Sequence, residues 1–228
     1  MNEIDMINTS YPFYGRPRIY HELEKRGFLI NEKKVYRMMK LIGIEAIYPK
    51  PDLSKPDPLS HKYPYLLKHL KIDTCNQVWG SDITYIKMLG GFMYLYAIID
   101  WYSRLVVSWR LSNTLETDFC IEAFEEALRI GKPEISNTDQ GCQFTSKEFT
   151  GFIESIPSRI SMDGRGRCYD NIFTERLWRS LKYEEVYLKS YESVSEARES
   201  IGKYFDFYNN RRLHQSLNYS TPASVYFK

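Results

Sequence analysis

From Val78 onward the chain carries three β-rich runs, Val78–Met88, Phe92–Asp100 and Leu105–Leu111. Only the links around Gly90-Gly91 and Tyr102-Ser103-Arg104 separate them. Valine, isoleucine, tyrosine and tryptophan fill these runs, and such residues suit a pleated, half-buried surface. A link of three or four residues cannot start a parallel neighbour, which needs a crossover of a dozen residues or more. The three runs are therefore predicted to be consecutive antiparallel strands. That rules out an all-helical and an all-parallel fold for this half of the chain.

The pattern then changes period. Thr117 opens a predicted helix with Cys120, Ile121, Phe124 and Leu128 on one face, closed by Gly131. Glu134–Asn137 reads as a short strand leading to Asp139-Gln-Gly141. Thr145 or Ser146 caps a helix running through Ile153, and Arg159–Met162 is a fifth strand. A glycine- and arginine-rich loop from Gly164 leads into another helix, with Asp170 as its predicted N-cap. Phe173, Leu177 and Leu181 share one face of it. Asn171, Glu175, Trp178, Arg179 and Lys182 are predicted to cluster on the other side. Ser193 caps a last helix to Tyr208. The order β-β-β-α-β-α-β-α, plus that appended helix, predicts an α/β fold: a mixed five-stranded sheet with helices on its faces.

The first fifty residues are different. Residues 1–10 are polar and predicted to fray. Arg16–Arg26 reads as a helix stopped by Gly27, and Asn31 caps a second one striped by Val35, Met38, Met39 and Ile42. Two short helices joined by a tight glycine turn suggest a helix-turn-helix. Lys33, Lys34, Arg37 and Lys40 on the second helix suit a phosphate-facing surface, and equally a helical hairpin with a solvated basic face. Pro49, Pro51, Pro56, Pro58 and Pro64 then forbid helix and predict a stiff linker. The expected organisation is a helical module over 1–50, a linker over 51–75 and a catalytic domain over 76–228.

Composition narrows the class. Hydrophobic residues make up 43% of the chain and charged ones 26%, as in globular proteins. The net charge of +2 neither demands nor excludes nucleic acid, but cations gather near Arg16–Lys40, Arg159–Lys182 and Arg211-Arg212. Cys75, Cys120, Cys142 and Cys168 form no Cys-x-x-Cys pair, and no histidine joins them at zinc-ligand spacing. Reduced thiols and a cytoplasmic setting are expected. No apolar run is long enough to span a membrane.

Three acids stand in settings that favour chemistry. Asp82 lies inside the first strand, where a buried carboxylate is costly unless paired or bound to a metal. Asp139 follows a strand directly, and carboxyl ends of strands are where open sheets place ligands. Glu175 lies on the helix that follows the fifth strand. Each has an ordinary reading as well: a strand-end aspartate satisfied by backbone donors, an Asp-x-Gly turn, a solvated helix face. Together they could hold two Mg²⁺ or Mn²⁺ ions, since hard oxygen-only ligands favour these over zinc.

With thirty-five residues between Asp139 and Glu175, the three acids resemble the DDE triad of retroviral-integrase-like transposases. The match is closer to the second reading frame, OrfB, of a large bacterial insertion-sequence family. Its signatures appear as Gln77-Val78-Trp79 before Asp82, Ile98-Ile-Asp-Trp-Tyr-Ser-Arg104, Asn137-Thr-Asp-Gln-Gly141, Gln143-Phe-Thr-Ser146, Asp170-Asn171 and Leu181-Lys182. The tail Tyr208-Asn-Asn-Arg-Arg-Leu-His214 with Thr221-Pro222 continues them, and Phe13-Tyr-Gly15, Val35-Tyr-Arg37 and Ala46-Ile-Tyr-Pro49 resemble the same family's helical module. Cys142 and Leu213 depart from the usual serine and proline.

The resemblance implies an RNase H-like fold and Mg²⁺- or Mn²⁺-dependent DNA transposition, with Asp82, Asp139 and Glu175 as catalytic residues and ligands of two ions. It implies DNA contact by Lys182, with Arg179 and Asn171 assisting. Its partners are then double-stranded DNA, further copies of the chain on that DNA, and an OrfA-type helix-turn-helix protein or fusion, in the bacterial cytoplasm at the nucleoid. An RNase H-like nuclease without strand transfer and a non-catalytic DNA-binding regulator are the alternatives.

Overall fold

The computed structural model describes residues 2–11, 14–41, 62–164 and 171–228. The proline-rich stretch to Pro58, the Ala46–Pro49 motif, Ile42, Cys168 and the expected cap Asp170 lie outside them. The chain divides into two compact units, Met1–Leu53 and Ser54–Lys228.

The N-terminal unit holds three helices, α1 (Asn2–Ser10), α2 (Arg16–Lys25) and α3 (Glu32–Leu41). α1 corrects the expectation of a frayed start. Its average polarity hides Ile4 and Ile7, which lie three apart on one face and are fully buried. They pack with Ile19 and Leu23 of α2 and Val35 and Met39 of α3. Gly27 ends α2 at φ +83°, a left-handed conformation that favours glycine. Asn31 caps α3, its Oδ1 accepting from the Lys34 N–H at 2.8 Å. Lys33, Lys34 and Arg37 are left exposed on α3, in no ion pair among the described residues.

The second unit is built on five strands: β1 (Val78–Met88), β2 (Gly91–Asp100), β3 (Val106–Ser112), β4 (Ile135–Thr138) and β5 (Arg159–Met162). The sheet order is β3-β2-β1-β4-β5. β1, β2 and β3 are antiparallel neighbours, as their short links demand, whereas β4 and β5 run parallel to β1. Helices α4 (Asp118–Ala127) and α5 (Lys147–Glu154) cover one face. α6 (Ile172–Glu184) and α7 (Val194–Asn210) cover the other, and a short α8 (Pro222–Tyr226) ends the chain.

Alternation along β1 sorts the two cores. Val78 and Ile86 pack under Leu177, Trp178 and Leu181 of α6, while Trp79 packs with Phe124 and Phe149 of α4 and α5. Ser146 is the cap of α5, accepting from the Phe149 N–H, and Ser193 caps α7 in the same way from Glu196. α4 buries Phe119, Cys120, Ala123, Phe124 and Ala127, a face turned slightly from the expected one.

The segment before β1 is not a free tether. Leu67 is buried, the Leu66 N–H donates to Ser161 Oγ, and the Tyr63 hydroxyl donates to Glu154. Proline content argued against helix there, but the residues on either side of Pro64 dock on the rest of the second unit. Among the described residues, no helix is long and apolar enough to cross a membrane.

Candidate active site

The parallel pairing of β1 with β4 aligns Val78 with Ile135, Trp79 with Ser136 and Gly80 with Asn137. Asp82 and Asp139 each lie two residues past that last rung. Period-two alternation therefore sends both to the face covered by α6, from strands about 4.8 Å apart. The third acid reaches this lip because α6 comes in close over Gly80. A Cβ at Gly80 would run into Trp101 Nε1 and stand 3.1 Å from Thr174 Oγ1, the residue before Glu175. Glycine here allows the helix to approach the strand.

Asp82 is held by two donors. The Trp178 indole N–H donates to its Oδ2 at 2.9 Å, and the Ile83 N–H donates to its Oδ1 at 2.8 Å. Burial nevertheless pushes the carboxyl up to about 6, and the charge of Asp139, with a smaller part from Glu175, pushes the same way. Burial also raises Asp139, although its side chain stays open to solvent, which tempers the shift. Its Oδ1 accepts from the Gly141 N–H at 2.8 Å. A side chain on Gly141 would sit 2.9 Å from that oxygen, so the Asp-x-Gly turn cradles the carboxylate closely. Asn137 and Gln140 of the same motif brace the loop by donating to Asp163 at the exit of β5.

Glu175 is exposed on α6. None of the three acids forms an ion pair among the described residues. Nor is any group of three or more acids, histidines or cysteines among these residues gathered tightly enough to hold a metal ion as it stands. The three carboxylates share one lip without closing on a common point. The donor chemistry fits a hard divalent cation: oxygen ligands only, the Asp82 and Asp139 carboxyls raised, and no lysine or arginine in an ion pair with them among the described residues.

The helix face differs from the expected one. Asn171 and Trp178 are buried rather than grouped with the exposed charges. Asn171 Oδ1 accepts from the Thr174 hydroxyl and so fastens the start of α6. Trp178 reaches down to Asp82. The clue was its spacing, since three residues past Glu175 lies on the same side of the helix, over the same strand.

Lys182 is half-buried and in no ion pair among the described residues. Both nearby acids are engaged elsewhere. Glu184 takes Arg212 at 2.6 Å and the Tyr204 hydroxyl at 3.0 Å, and Glu185 takes Lys189 at 2.8 Å. Arg179 is exposed, its guanidinium 5.9 Å from the Tyr183 ring centroid.

Sequence reasoning gave Asp100 no role. It is fully buried and accepts from the Ser103 hydroxyl and N–H and from the Asn76 N–H. These bonds tie the β2–β3 turn and put Arg104 at φ +64°. The Asp-Trp-Tyr-Ser-Arg signature carries this signal.

Comparison with known proteins agrees with the geometry. Residues 73–168 and 157–222 match models described as integrase core domain, and residues 2–52 match an HTH-like domain. The chain is 32% identical to the transposase for insertion sequence element IS904 of Lactococcus lactis, over 92% of this chain and 85% of that protein. It is 32% identical to the transposase InsF for insertion sequence IS3A of Escherichia coli K12, over 88% and 72%. A structure of the simian T-cell lymphotropic virus intasome, in complex with a PP2A regulatory subunit, aligns with a TM-score of 0.61 at 15% identity, over 99% of this chain and 74% of that one. The HTLV-2 integrase catalytic core in complex with magnesium aligns at 0.51 and 22%, over 67% and 97%. At such identities the structural likeness concerns the fold.

Proposed function

The chain belongs to the insertion-sequence transposases built on an integrase core domain, and from that premise we propose that Asp82, Asp139 and Glu175 are its catalytic carboxylates. It is a DNA transposase, a polynucleotidyl transferase of the DDE class, and its family binds DNA, forms oligomers and depends on divalent metal. The observation that carries the site assignment is the lip itself. Asp82, pushed to about 6, feels Asp139 and Glu175, and no cationic side chain among the described residues answers them.

The three carboxylates would hold two Mg²⁺ or Mn²⁺ ions, which when bound polarise an attacking oxygen and stabilise a leaving one. The remaining work belongs to the chain. Trp178 and the Ile83 N–H each hold one oxygen of Asp82, and the Gly141 N–H holds one of Asp139, so both carboxylates are fixed in a set direction with lone pairs left for a cation. Lys182, unengaged by Glu184 or Glu185, neutralises a DNA phosphate beside the acids, with Arg179 one turn before it. In the first step water attacks the phosphodiester at an element end, one P–O bond replaces another, and a 3′-hydroxyl leaves. In the second that hydroxyl attacks a target phosphodiester, with no covalent protein–DNA link. Lys33, Lys34 and Arg37 of α3 grip DNA through phosphates. An OrfA-type helix-turn-helix protein is the proposed partner.

The test is cleavage and joining of labelled DNA bearing the flanking element ends, in Mn²⁺. Wild type should yield strand-transfer products, and Glu175→Gln should yield neither cuts nor joints while binding the DNA at least as tightly. Cuts without joints would make the protein a hydrolytic nuclease, and an active Glu175→Gln would remove that residue from the site.

A further inference from the structure

Beside the carboxylate lip, on the next flank of α6, lies a second cavity of about 830 Å³. α6 gives it Phe173, Arg176 and Arg179, and the tail after α7 closes it with Arg212 and His214. Arg104 enters from the β2–β3 turn. Its guanidinium stacks on Phe173, 3.6 Å from the ring centroid.

The charges in this cavity are not balanced. Arg212 is neutralised by Glu184, through three N–H···O bonds. Arg104, Arg176 and Arg179 form no ion pair among the described residues. Arg104 Nη1 is buried with no hydrogen-bond partner, a costly state for a charged donor. The strain shows on the neighbours. Burial lowers the Arg104 guanidinium to about 10 against the pull of Tyr208 and Asp100, with Arg176 adding a little repulsion, and burial with Arg212 and Arg104 drives His214 down to about 4 against the weaker pull of Glu184. The Asp100–Ser103 brace holds Arg104 in a left-handed backbone conformation that an arginine rarely adopts, pinning the guanidinium where it lacks an acceptor. A cluster of cations with an orphaned inward donor is a binding site for an anion.

We propose that this cavity binds a backbone phosphate of DNA, making it a second phosphate site that holds the strand running past the carboxylates. This deepens the transposase reading and rests on it. The helix supplies the continuity. At about 100° per residue, Lys182 lies within about 20° of Glu175, Arg179 lies about 40° round from it and Arg176 about 100°. The cations thus form a track from the acids, over Arg179, into the cavity. The space greatly exceeds a phosphate ion, which favours a nucleotide within a strand over a free anion.

The experiment measures affinity of the full chain for a fluorescent DNA duplex of arbitrary sequence with a single-stranded overhang, in EDTA, across a salt series. Arg176 is exposed, so Arg176→Gln should keep the wild-type melting temperature. It should bind about tenfold more weakly at low salt and lower the slope of log affinity against log salt by about 0.9. Arg104→Gln should do the same where circular dichroism shows it folded; if it does not fold, Arg176→Gln decides alone. In a parallel arm, orthophosphate at matched ionic strength should raise the melting temperature of wild type more than that of Arg176→Gln. Unchanged DNA affinity in Arg176→Gln overturns the proposal: with orthophosphate protection still lost, the cavity takes a small anion, and without it the arginines bind nothing. Glu175→Gln in the same assay should bind at least as tightly as wild type, because it removes a negative charge beside the strand. Since no metal or cleavage enters this measurement, an error in the carboxylate assignment would leave it untouched.

Discussion

At the scale of single residues, Asp82 carries a cost that its neighbours do not remove. Its carboxyl titrates near 6 in the folded protein, against an ordinary value of 3.8. The folded state therefore holds the proton more tightly than the unfolded state between those values. Metal-free stability should fall as pH rises from about 4 to about 6 and stay lower above, by about 3 kcal/mol for a shift of this size. Asp82→Asn keeps the shape and an acceptor for Trp178 but loses the charge. It should melt higher than wild type in EDTA at pH 7, lose that advantage below pH 4, and gain much less from added Mn²⁺. Equal stabilisation of both proteins by Mn²⁺ would place the ion elsewhere. Lys182 is the second residue-scale case. Lys182→Glu should weaken DNA binding at least tenfold while Mn²⁺ still raises the melting temperature as in wild type. Unchanged DNA affinity would return Lys182 to a solvated role. Asp82, Asp139 and Glu175 could be read as candidates because a buried strand position, a strand end and the family spacing mark them. Trp178 was not, because an indole reads as core until its N–H partner on another element is known.

At the scale of elements, the site depends on how closely α6 approaches β1. Thr174 is fully buried above Gly80, and Trp101 closes the other side. Gly80→Ala inserts a methyl into that contact. Overpacking of this kind costs roughly 1–3 kcal/mol, and because Trp101, which the methyl meets first, packs on Phe173, its relief displaces the start of α6. The expected outcome is a modestly lower melting temperature with disproportionate loss of cleavage, because Glu175 follows Thr174 directly. A Gly80→Ala protein that melts lower yet cuts at the wild-type rate would show that the helix does not need this approach. The strands were readable from turn length alone: Tyr102-Ser103-Arg104 could only reverse the chain. α1 was missed for the opposite reason. Ile4 and Ile7 are too few to outweigh a polar decapeptide until α2 and α3 offer them a partner face. The period of α6 set its core stripe correctly, but Asn171 and Trp178 fall at the stripe's border, where the packed neighbour decides.

At the scale of the whole molecule, the cations form two sets on two separately packed units. One is Lys33, Lys34 and Arg37 on α3, and the other is the group on α6 and the tail. The distribution of lysine and arginine along the chain made both clusters visible in the sequence, while the net charge of +2 hid them. If both sets grip phosphates of one DNA, each releases its own counterions. Replacing Lys33, Lys34 and Arg37 by alanine should lower the salt slope of DNA binding by about 3, near 0.9 for each lost phosphate contact. It should not lower the melting temperature of the catalytic unit, because all three side chains are exposed and none belongs to the buried Ile4–Met39 cluster. Changes at phosphate contacts that act independently add in free energy. The triple alanine protein combined with Arg176→Gln should therefore lose affinity by the product of the two separate factors. A combined loss equal to the larger single loss would mean that α3 and α6 serve one shared contact. An unchanged slope in the triple variant would make the α3 face a solvated helix surface and leave DNA recognition to the integrase core.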